Sequence, residues 1–239
     1  MHALGILTLD TRFARIYGDA GNAATWPFPV RTLVVSGASP ERVVRDRAEG
    51  LIDAFITGAH QLADEGVAGI TTTCGFLCLH QERIAAALPV PFASSSLLQV
   101  PMVARVLPGG QRVGILTIDQ ASLTADHLRA VGIEASTPVE GVLADGHLAQ
   151  VFVDSTAELD IVEARRELVE AGKRLRALHA GVGAIVLECA NMPPYASALH
   201  AELGVPVYDW YSMVSWFARG LQPRTFIATA ARADAIRCR

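Results

Sequence analysis

Two nearly identical hexapeptides stand in the two halves of the chain. GILTLD occupies Gly5–Asp10 and GILTID occupies Gly114–Asp119, and the pair differs only by a Leu-to-Ile exchange. Each is an apolar run closed by an acidic residue, which is typical of a buried strand in a parallel sheet. Because such a strand recurs, the sequence predicts two copies of one structural unit.

Two cysteines extend this repeat. Cys74 in TTTCGFLC and Cys189 in LECANMPPY each follow a short apolar, strand-like stretch. Each cysteine is followed, at the same interval, by the proline of a Val-Pro pair, namely Pro91 and Pro206. Three landmarks in the same order and with nearly constant spacing predict two α/β units, divided near residues 108–111.

The alternation of strand-like and helix-like stretches predicts an α/β fold with mainly parallel sheets. The predicted strands cover residues 4–9, 32–36, 67–73, 90–94, 112–117, 132–138, 183–188 and 205–209. The predicted helices cover residues 41–64, 77–88, 96–106, 121–130, 158–179, 194–203 and 211–219. Parallel sheets bind ligands beyond the carboxyl ends of their strands, where both cysteines lie. Two facing units would therefore bring the two thiols to opposite sides of one cleft.

Charge and cofactor motifs argue against several function classes. The formal net charge is -4 without a basic stripe, so we expect no nucleic-acid partner. Lys173 is the only lysine and lies in a densely charged, helix-like stretch, so pyridoxal phosphate is not expected. A lysine-containing phosphate loop and a GxGxxG after the first strand are both missing, and the seven histidines are scattered. We therefore expect neither a cofactor nor a metal.

Cysteine usage and hydropathy bear on the compartment. Four cysteines in 239 residues are too few for a disulfide scaffold, so we expect reduced thiols. No uninterrupted apolar run reaches the roughly 18 residues that span a bilayer, so we expect no membrane partner. The amino-terminal segment lacks the basic start of a secretory signal, so we expect a cytoplasmic protein, which could form a homo-oligomer.

The position of each cysteine at a strand-to-helix junction suggests reactivity. Unpaired N–H groups and the dipole at a helix start stabilise a thiolate, and the thiol pKa can fall from about 8.5 to roughly 3.5–7.5. Gly75 follows Cys74, whereas Cys189 is followed by Asn191 as a candidate N-cap and by Pro193 or Pro194 as the first helical residue, so both sites are predicted helix openings. A cysteine that only fills the core is the alternative for either site. Their equivalent positions in the repeat favour a functional pair.

Two opposed thiols suit a reaction in which a proton leaves one face of a carbon atom and returns on the other, which is racemisation or epimerisation. Without pyridoxal phosphate as an electron sink, the substrate carboxylate must take the carbanion charge, so hydrogen-bond donors have to surround it. The candidate donors are the backbone N–H groups after each cysteine and the hydroxyls of Thr72, Thr73, Ser94, Ser95 and Thr117. A turn or capping role is the alternative for each hydroxyl.

TTTCGFL, LECANMPPY and the duplicated layout together resemble the aspartate/glutamate racemase superfamily, which also includes hydantoin racemases, maleate cis-trans isomerases and arylmalonate decarboxylases. The resemblance covers nearly the whole chain. It implies a cofactor-independent active site in the cleft between two pseudosymmetric three-layer lobes, residues 1–95 with 209–239 and residues 96–208. It also implies that Cys74 and Cys189 are the acid/base pair and that the substrate is a small carboxylate or an amino acid.

The same resemblance implies roles for further residues. Asp10 and Thr11 stand where glutamate racemases have Asp-Ser in their first loop, and Thr117 stands where a threonine contacts the substrate. The residues that follow each cysteine differ from those of glutamate racemases, so free glutamate is not the expected substrate. The predicted substrate-binding residues are Asp10, Thr11, Thr73, Gly75, Phe76, Ser94, Ser95, Thr117, Ala190 and Asn191.

The presence of both cysteines favours isomerisation, because the decarboxylases of this superfamily keep only one of them. We therefore predict a cofactor-independent racemase or epimerase of an amino acid or an amino-acid derivative. The alternatives are cis-trans isomerisation through a cysteine adduct, decarboxylation of a small carboxylic acid, and carboxylate binding without turnover.

For two further regions, the sequence is compatible with more than one role. If the strand alternation continues, Glu188 points away from Cys189, and a structural hydrogen bond is favoured over the alternative, a catalytic role. The loop from Arg15 to Val30 resembles a Gly-Asp-x-Gly-Asn loop of related proteins. Its residues Asp19, Asn22 and Trp26 would either line the cleft or form a turn.

Overall fold

Eight strands form two four-stranded sheets over residues 2–225, which are the residues that the computed structural model describes. The strands are β1 Leu4–Leu9, β2 Val30–Val35, β3 Ile70–Thr72, β4 Phe92–Ala93, β5 Arg112–Thr117, β6 Val139–Gly141, β7 Val182–Leu187 and β8 Val207–Tyr208. One sheet has the order β2-β1-β3-β4 and the other β6-β5-β7-β8, and all neighbouring strands are parallel. The two sheets therefore have the same topology, as the repeat predicts.

Helices flank both sheets. They are α1 Pro40–Val44, α2 Ile52–Asp64, α3 Gln81–Ala86, α4 Val100–Val106, α5 Ala125–Ala130, α6 His147–Phe152, α7 Ile161–Leu178, α8 Ala196–Leu203 and α9 Trp210–Leu221. Short 3₁₀ helices cover Ala23–Thr25, Gly75–His80, Ser96–Gln99 and Pro193–Tyr195. The predicted α/β class with parallel sheets is confirmed.

Two predicted elements are wrong. The predicted helix over 41–64 is divided into α1 and α2, because the chain turns between them with a positive φ at Arg47, Ala48 and Gly50. The predicted strand over 132–138 is an irregular segment that starts with a turn at Gly132, where φ is 73°. The strand of that unit is β6, which begins directly after this segment, and α6 has no counterpart among the predicted helices.

The last described helix packs against the first sheet. Trp210 and Met213 of α9 share a buried apolar cluster with Leu4 and Ile6 of β1. The Trp210 indole N–H also donates to the backbone oxygen of Glu188 at 2.8 Å, so α9 contacts the end of β7 in the second sheet as well. We propose the lobe boundaries given above on this basis. Residues 226–239, and with them Cys238, lie outside the described residues.

No helix within residues 2–225 combines the length and apolar character needed to cross a membrane.

Candidate active site

The two cysteines occupy equivalent positions in the two sheets. Cys74 follows β3 and is the N-cap of the 3₁₀ helix Gly75–His80, while Cys189 follows β7, which is the counterpart of β3. Both side chains are buried. The backbone N–H groups of Phe76 and Leu77 stabilise the Cys74 thiolate, and the N–H of Asn191 does the same for Cys189. The predicted helix opening is thus observed at Cys74, whereas Cys189 lies before the 3₁₀ helix Pro193–Tyr195, whose N-cap is Met192 and not Asn191.

One small cavity lies between the two cysteines. Its water-accessible volume is about 20 Å³, which leaves room for about one water molecule. Its lining residues are Leu9, Thr11, Phe13, Arg15, Pro40, Val44, Thr73, Cys74, Gly75, Phe76, Ile118, Phe152, Val153, Glu188, Cys189, Ala190 and Asn191. The lining comes from both sheets and their following loops, so the cavity lies in the predicted cleft between the two units.

Burial dominates the ionisation of both thiols. It raises the pKa of Cys74 and of Cys189, and the nearby Glu188 carboxylate raises both pKa values further. The backbone N–H groups lower the two pKa values by less than burial raises them. The prediction that the helix starts depress the thiol pKa values is therefore wrong, because desolvation of a buried charge outweighs a few aligned donors.

Glu188 lines the same cavity as Cys189, so the prediction that it points away from Cys189 is wrong, whereas the structural hydrogen bond predicted for it is observed. Its carboxylate accepts a hydrogen bond from Thr117 Oγ1 at 2.9 Å and one from the Ile118 N–H at 3.5 Å. Burial raises the pKa of Glu188 to about 7, although these two donors lower it. A carboxyl group with such a pKa exchanges its proton near neutral pH.

Gly75 is the residue that makes room for the Glu188 carboxyl group. A β-carbon at this position would lie 2.1 Å from Glu188 Oε1 and 2.5 Å from the Glu188 backbone oxygen. Since real β-carbons are not found this close to other atoms, position 75 has to be glycine if Glu188 keeps its place. The glycine after Cys74 and the glutamate before Cys189 thus form one contact between the two junctions.

We expect Gly75→Ala to lower the free energy of unfolding by about 1–3 kcal/mol, as overpacked cores do, and to displace the Glu188 carboxyl group. Urea unfolding followed by circular dichroism measures the first effect. Gly109→Ala is the matched control, because no atom lies within 4 Å of its β-carbon position. Equal stability of the two variants would contradict the contact between Gly75 and Glu188.

A chain of polar contacts leads from Cys189 to the loop after β1. The Cys189 thiol donates to Asn191 Oδ1 at 3.5 Å, and Asn191 Nδ2 donates to Asp19 Oδ2 at 2.5 Å. Arg15 forms a salt bridge with Asp19 at 2.9 Å, and its other terminal nitrogen donates to Thr11 Oγ1 at 3.2 Å. Arg15 is thereby held at the cavity wall, where it is the only lysine or arginine among the lining residues.

Aromatic rings close the cavity on the side of this loop. The rings of Phe13 and Phe152 meet edge to face, with centroids 4.9 Å apart. The Arg15 guanidinium lies 5.0 Å from the centroid of Phe13. Because the cavity has room for about one water molecule, we expect part of this lining to move when a larger ligand binds.

The model of the Asp/Glu/hydantoin racemase family matches residues 55–218, which are well over half of the chain. This protein belongs to that family. The match includes both cysteine junctions and β5, so it covers the elements that form most of the cavity.

Two curated relatives of this family member are lyases. A dimethylsulfoniopropionate lyase of Durusdinium sp. clade D is 26% identical over 232 residues, which are 91% of this chain and 74% of that protein. Dimethylsulfoniopropionate lyase 3 of Emiliania huxleyi (strain CCMP1516) is 28% identical over 225 residues, which are 87% of this chain and 56% of that protein. The chain therefore spans little more than half the length of the second relative.

Solved structures of other enzymes share the fold of this chain. Unliganded arylmalonate decarboxylase aligns with a TM-score of 0.65 at 15% identity, over 96% of each chain. Allantoin racemase from Pseudomonas fluorescens aligns with a TM-score of 0.61 at 16% identity, over 94% of this chain and all of that one. Enzymes named for decarboxylation and for racemisation thus share the architecture of this chain.

The structure brings most of the predicted site residues to the cavity. Besides the two cysteines, the lining includes Thr11, Thr73, Gly75, Phe76, Ala190 and Asn191. The predicted residues outside the lining are Asp10, Ser94, Ser95 and Thr117. Asp10 is exposed, Ser95 caps the 3₁₀ helix Ser96–Gln99, and Thr117 binds Glu188.

Only the first part of the loop from Arg15 to Val30 contributes to the candidate site. Asp19 is buried and fixes Arg15 and Asn191. Asn22 caps the 3₁₀ helix Ala23–Thr25, and Trp26 stacks on Tyr211, so neither lines the cavity. Over residues 2–225, no group of three or more His, Cys, Asp or Glu side chains could hold a metal ion.

Proposed function

We propose that this protein is a cofactor-independent racemase or epimerase of an amino acid or an amino-acid derivative, in which Cys74 and Cys189 transfer a proton at Cα. The observation that carries this proposal is that the two cysteines come from equivalent junctions of the repeat and line one cavity. A reaction with a single acid/base group does not need such a pair. Inversion at a carbon atom does, because the proton leaves and returns on opposite faces.

The proposed reaction proceeds through a carbanion stabilised by the substrate carboxylate. One cysteine, as thiolate, takes the Cα proton, and the electron pair of the broken C–H bond moves into the carboxylate. The other cysteine, as thiol, then gives its proton to the opposite face. Arg15 is the group that we assign to the carboxylate, because a guanidinium has five N–H donors and Asp19 and Thr11 use only part of them.

A β-elimination is the second candidate, because the two relatives described above are dimethylsulfoniopropionate lyases. A thiolate would again take the Cα proton, the electron pair would form a carbon–carbon double bond, and the bond from Cβ to sulfur would break. Dimethyl sulfide and acrylate would leave. The rings of Phe13, Phe76 and Phe152 at the cavity suit a sulfonium cation, since aromatic faces attract cations.

Proton NMR in D₂O distinguishes the candidates. The purified protein is incubated with single enantiomers of amino acids, with hydantoins and with dimethylsulfoniopropionate. Deuterium at Cα together with loss of optical purity supports the racemase, whereas acrylate signals support the lyase. Optically unchanged and undeuterated amino acids and hydantoins would contradict the first proposal. Small carboxylates are the partners that we propose; a cytoplasmic location and a homo-oligomer stay predictions.

A further inference from the structure

A second pocket, which we call the side pocket, adjoins the cavity between the two cysteines. Its volume is about 410 Å³, within the range of about 300–1,000 Å³ that is usual for small-molecule sites. Its polar lining residues, Arg12, Ser155 and Glu158, are exposed. Besides Phe13, its apolar lining residues are Ala14, Ile16, Val151, Ala157, Leu159 and Ile161. The side pocket thus offers the apolar space that the cavity, with room for about one water molecule, lacks.

The side chain of Phe13 separates the two spaces. Along the segment after β1, Thr11 and Arg15 line the cavity, Arg12 and Ala14 line the side pocket, and Phe13 lines both. Neighbouring residues of this segment therefore face opposite sides of one thin wall. Displacement of the Phe13 ring would join the cavity to the side pocket and add the volume of the ring to both.

Few contacts hold Phe13 in this place. Among the described residues, no backbone–backbone hydrogen bond involves residues 11–14. The half-buried ring of Phe13 meets Phe152 edge to face and lies against the Arg15 guanidinium. On the opposite wall, by contrast, the backbone N–H of Val153 is bound to α6. Movement of Phe13 therefore breaks side-chain contacts but no backbone hydrogen bond of its own segment.

We infer that the side pocket binds the side chain of the substrate, with Phe13 displaced, while the substrate Cα lies between Cys74 and Cys189. The apolar lining selects the class of substrate, which is an amino acid or amino-acid derivative with an aromatic or branched aliphatic side chain, because burial of apolar surface stabilises the complex. The inference rests on the proposed function, which places Cα between the thiols, and it deepens that function by naming the substrate class.

Two alkylating reagents with the same reactive group test the side pocket without a substrate. In iodoacetamide and N-benzyliodoacetamide, a thiolate forms a bond to the CH₂ carbon and iodide leaves, and only the second reagent carries an apolar group. The rate constants at Cys74 and Cys189 are measured by peptide mass spectrometry at one pH. The thiolate fraction then cancels in the ratio of the two rate constants, and free glutathione gives the ratio without any pocket.

In the wild type, the faster-reacting cysteine should prefer the benzyl reagent about tenfold or more relative to glutathione, because the side pocket buries the benzyl group. Ala157→Trp should abolish this preference, since Ala157 is half-buried and lines the side pocket but not the cavity. Ala218→Trp is the matched control and should keep the preference, because Ala218 is a half-buried alanine that lines a different pocket beside α9.

Phe13→Ala should accelerate the reaction of the benzyl reagent by about tenfold, because the edge-to-face contact with Phe152 no longer has to be broken. Cys78 is the internal reference for loosening of the fold, because it is buried and lines neither space. If Cys78 reacts faster in Ala157→Trp, the ratio is taken from Ala14→Trp, which fills the side pocket from its other wall. An unchanged ratio in the filled variant, or a wild-type ratio equal to that of glutathione, would overturn the inference.

Substrates from the NMR screen separate this inference from the proposed function. They are compared in pairs that differ only in the side chain, such as phenylalanine with alanine or the two corresponding hydantoins. Ala157→Trp should raise KM for the larger substrate at least about tenfold and change KM for the smaller one less than about threefold. If both are racemised and both KM values change alike, the proposed function stands and the inference fails. If the reagent ratios follow the side pocket but no Cα proton exchanges, the proposed function fails, and the side pocket stands as a site for apolar groups.

Discussion

Cys74→Ala and Cys189→Ala should each lower the rate of racemisation by about 10²- to 10⁴-fold, because each removes a group that transfers a proton in the reaction. The measurement is the loss of optical purity of one enantiomer, combined with deuterium incorporation at Cα. The two variants should differ in the enantiomer whose proton they still exchange. Each remaining cysteine reaches only one face of Cα, so the defects should be mirror images.

Cys78→Ala is the matched control for both variants. Cys78 is fully buried, its thiol contacts the backbone oxygen of His127 at 3.6 Å, and it does not line the cavity. Racemisation in this variant should stay within a few-fold of the wild type. If Cys74→Ala and Cys189→Ala are as active as Cys78→Ala, the two-cysteine mechanism is wrong.

The same variants also separate racemisation from elimination. An elimination needs one base for the Cα proton, because the neutral sulfide leaves without further proton transfer. In that case, one cysteine variant should lose acrylate formation and the other should retain much of it. The racemase instead predicts that racemisation is lost in both variants, because neither cysteine can replace the other.

The repeat made the site predictable because it linked distant parts of the chain. The matching hexapeptides, which overlap β1 and β5, and the two cysteines predicted that equivalent strands end at equivalent points of the two sheets. Because neighbouring strands are parallel, these ends lie on the same side of each sheet. The strand β6 could not be predicted in this way. It has only three residues and no apolar alternation, and it exists because Ile115 and Leu116 of β5 pair with it.

Glu188 shows where local reasoning fails. The alternation of side chains holds only inside a strand, and β7 ends at Leu187, so the next side chain is free to turn into the cavity. The sequence did contain a signal, which was the glycine after Cys74. Its reason became visible only when the other unit was placed against it. The raised thiol pKa values have the same origin, because burial depends on how the two units meet.

We expect Trp210→Ala to lower the free energy of unfolding by about 3–5 kcal/mol, which is the usual cost of removing a fully buried aromatic side chain. Trp210 is 0% exposed and fills the cluster between α9 and the first sheet. Trp216→Ala on the same helix is the control, because Trp216 is 61% exposed. Urea unfolding should show a change below about 0.5 kcal/mol for this variant. Equal losses in the two variants would contradict the packing of α9.

Trp210→Phe separates the packing of this residue from its hydrogen bond. The phenylalanine keeps most of the buried area but leaves the Glu188 backbone oxygen without its indole donor, which should lower the free energy of unfolding by about 1–3 kcal/mol. Ser96 Oγ, at 3.3 Å, is then the donor that remains for this oxygen. Because this carbonyl belongs to the residue between β7 and Cys189, its release should also loosen the cavity. Faster alkylation of Cys189 in Trp210→Phe than in Trp216→Ala would show that α9 supports the site as well as the fold.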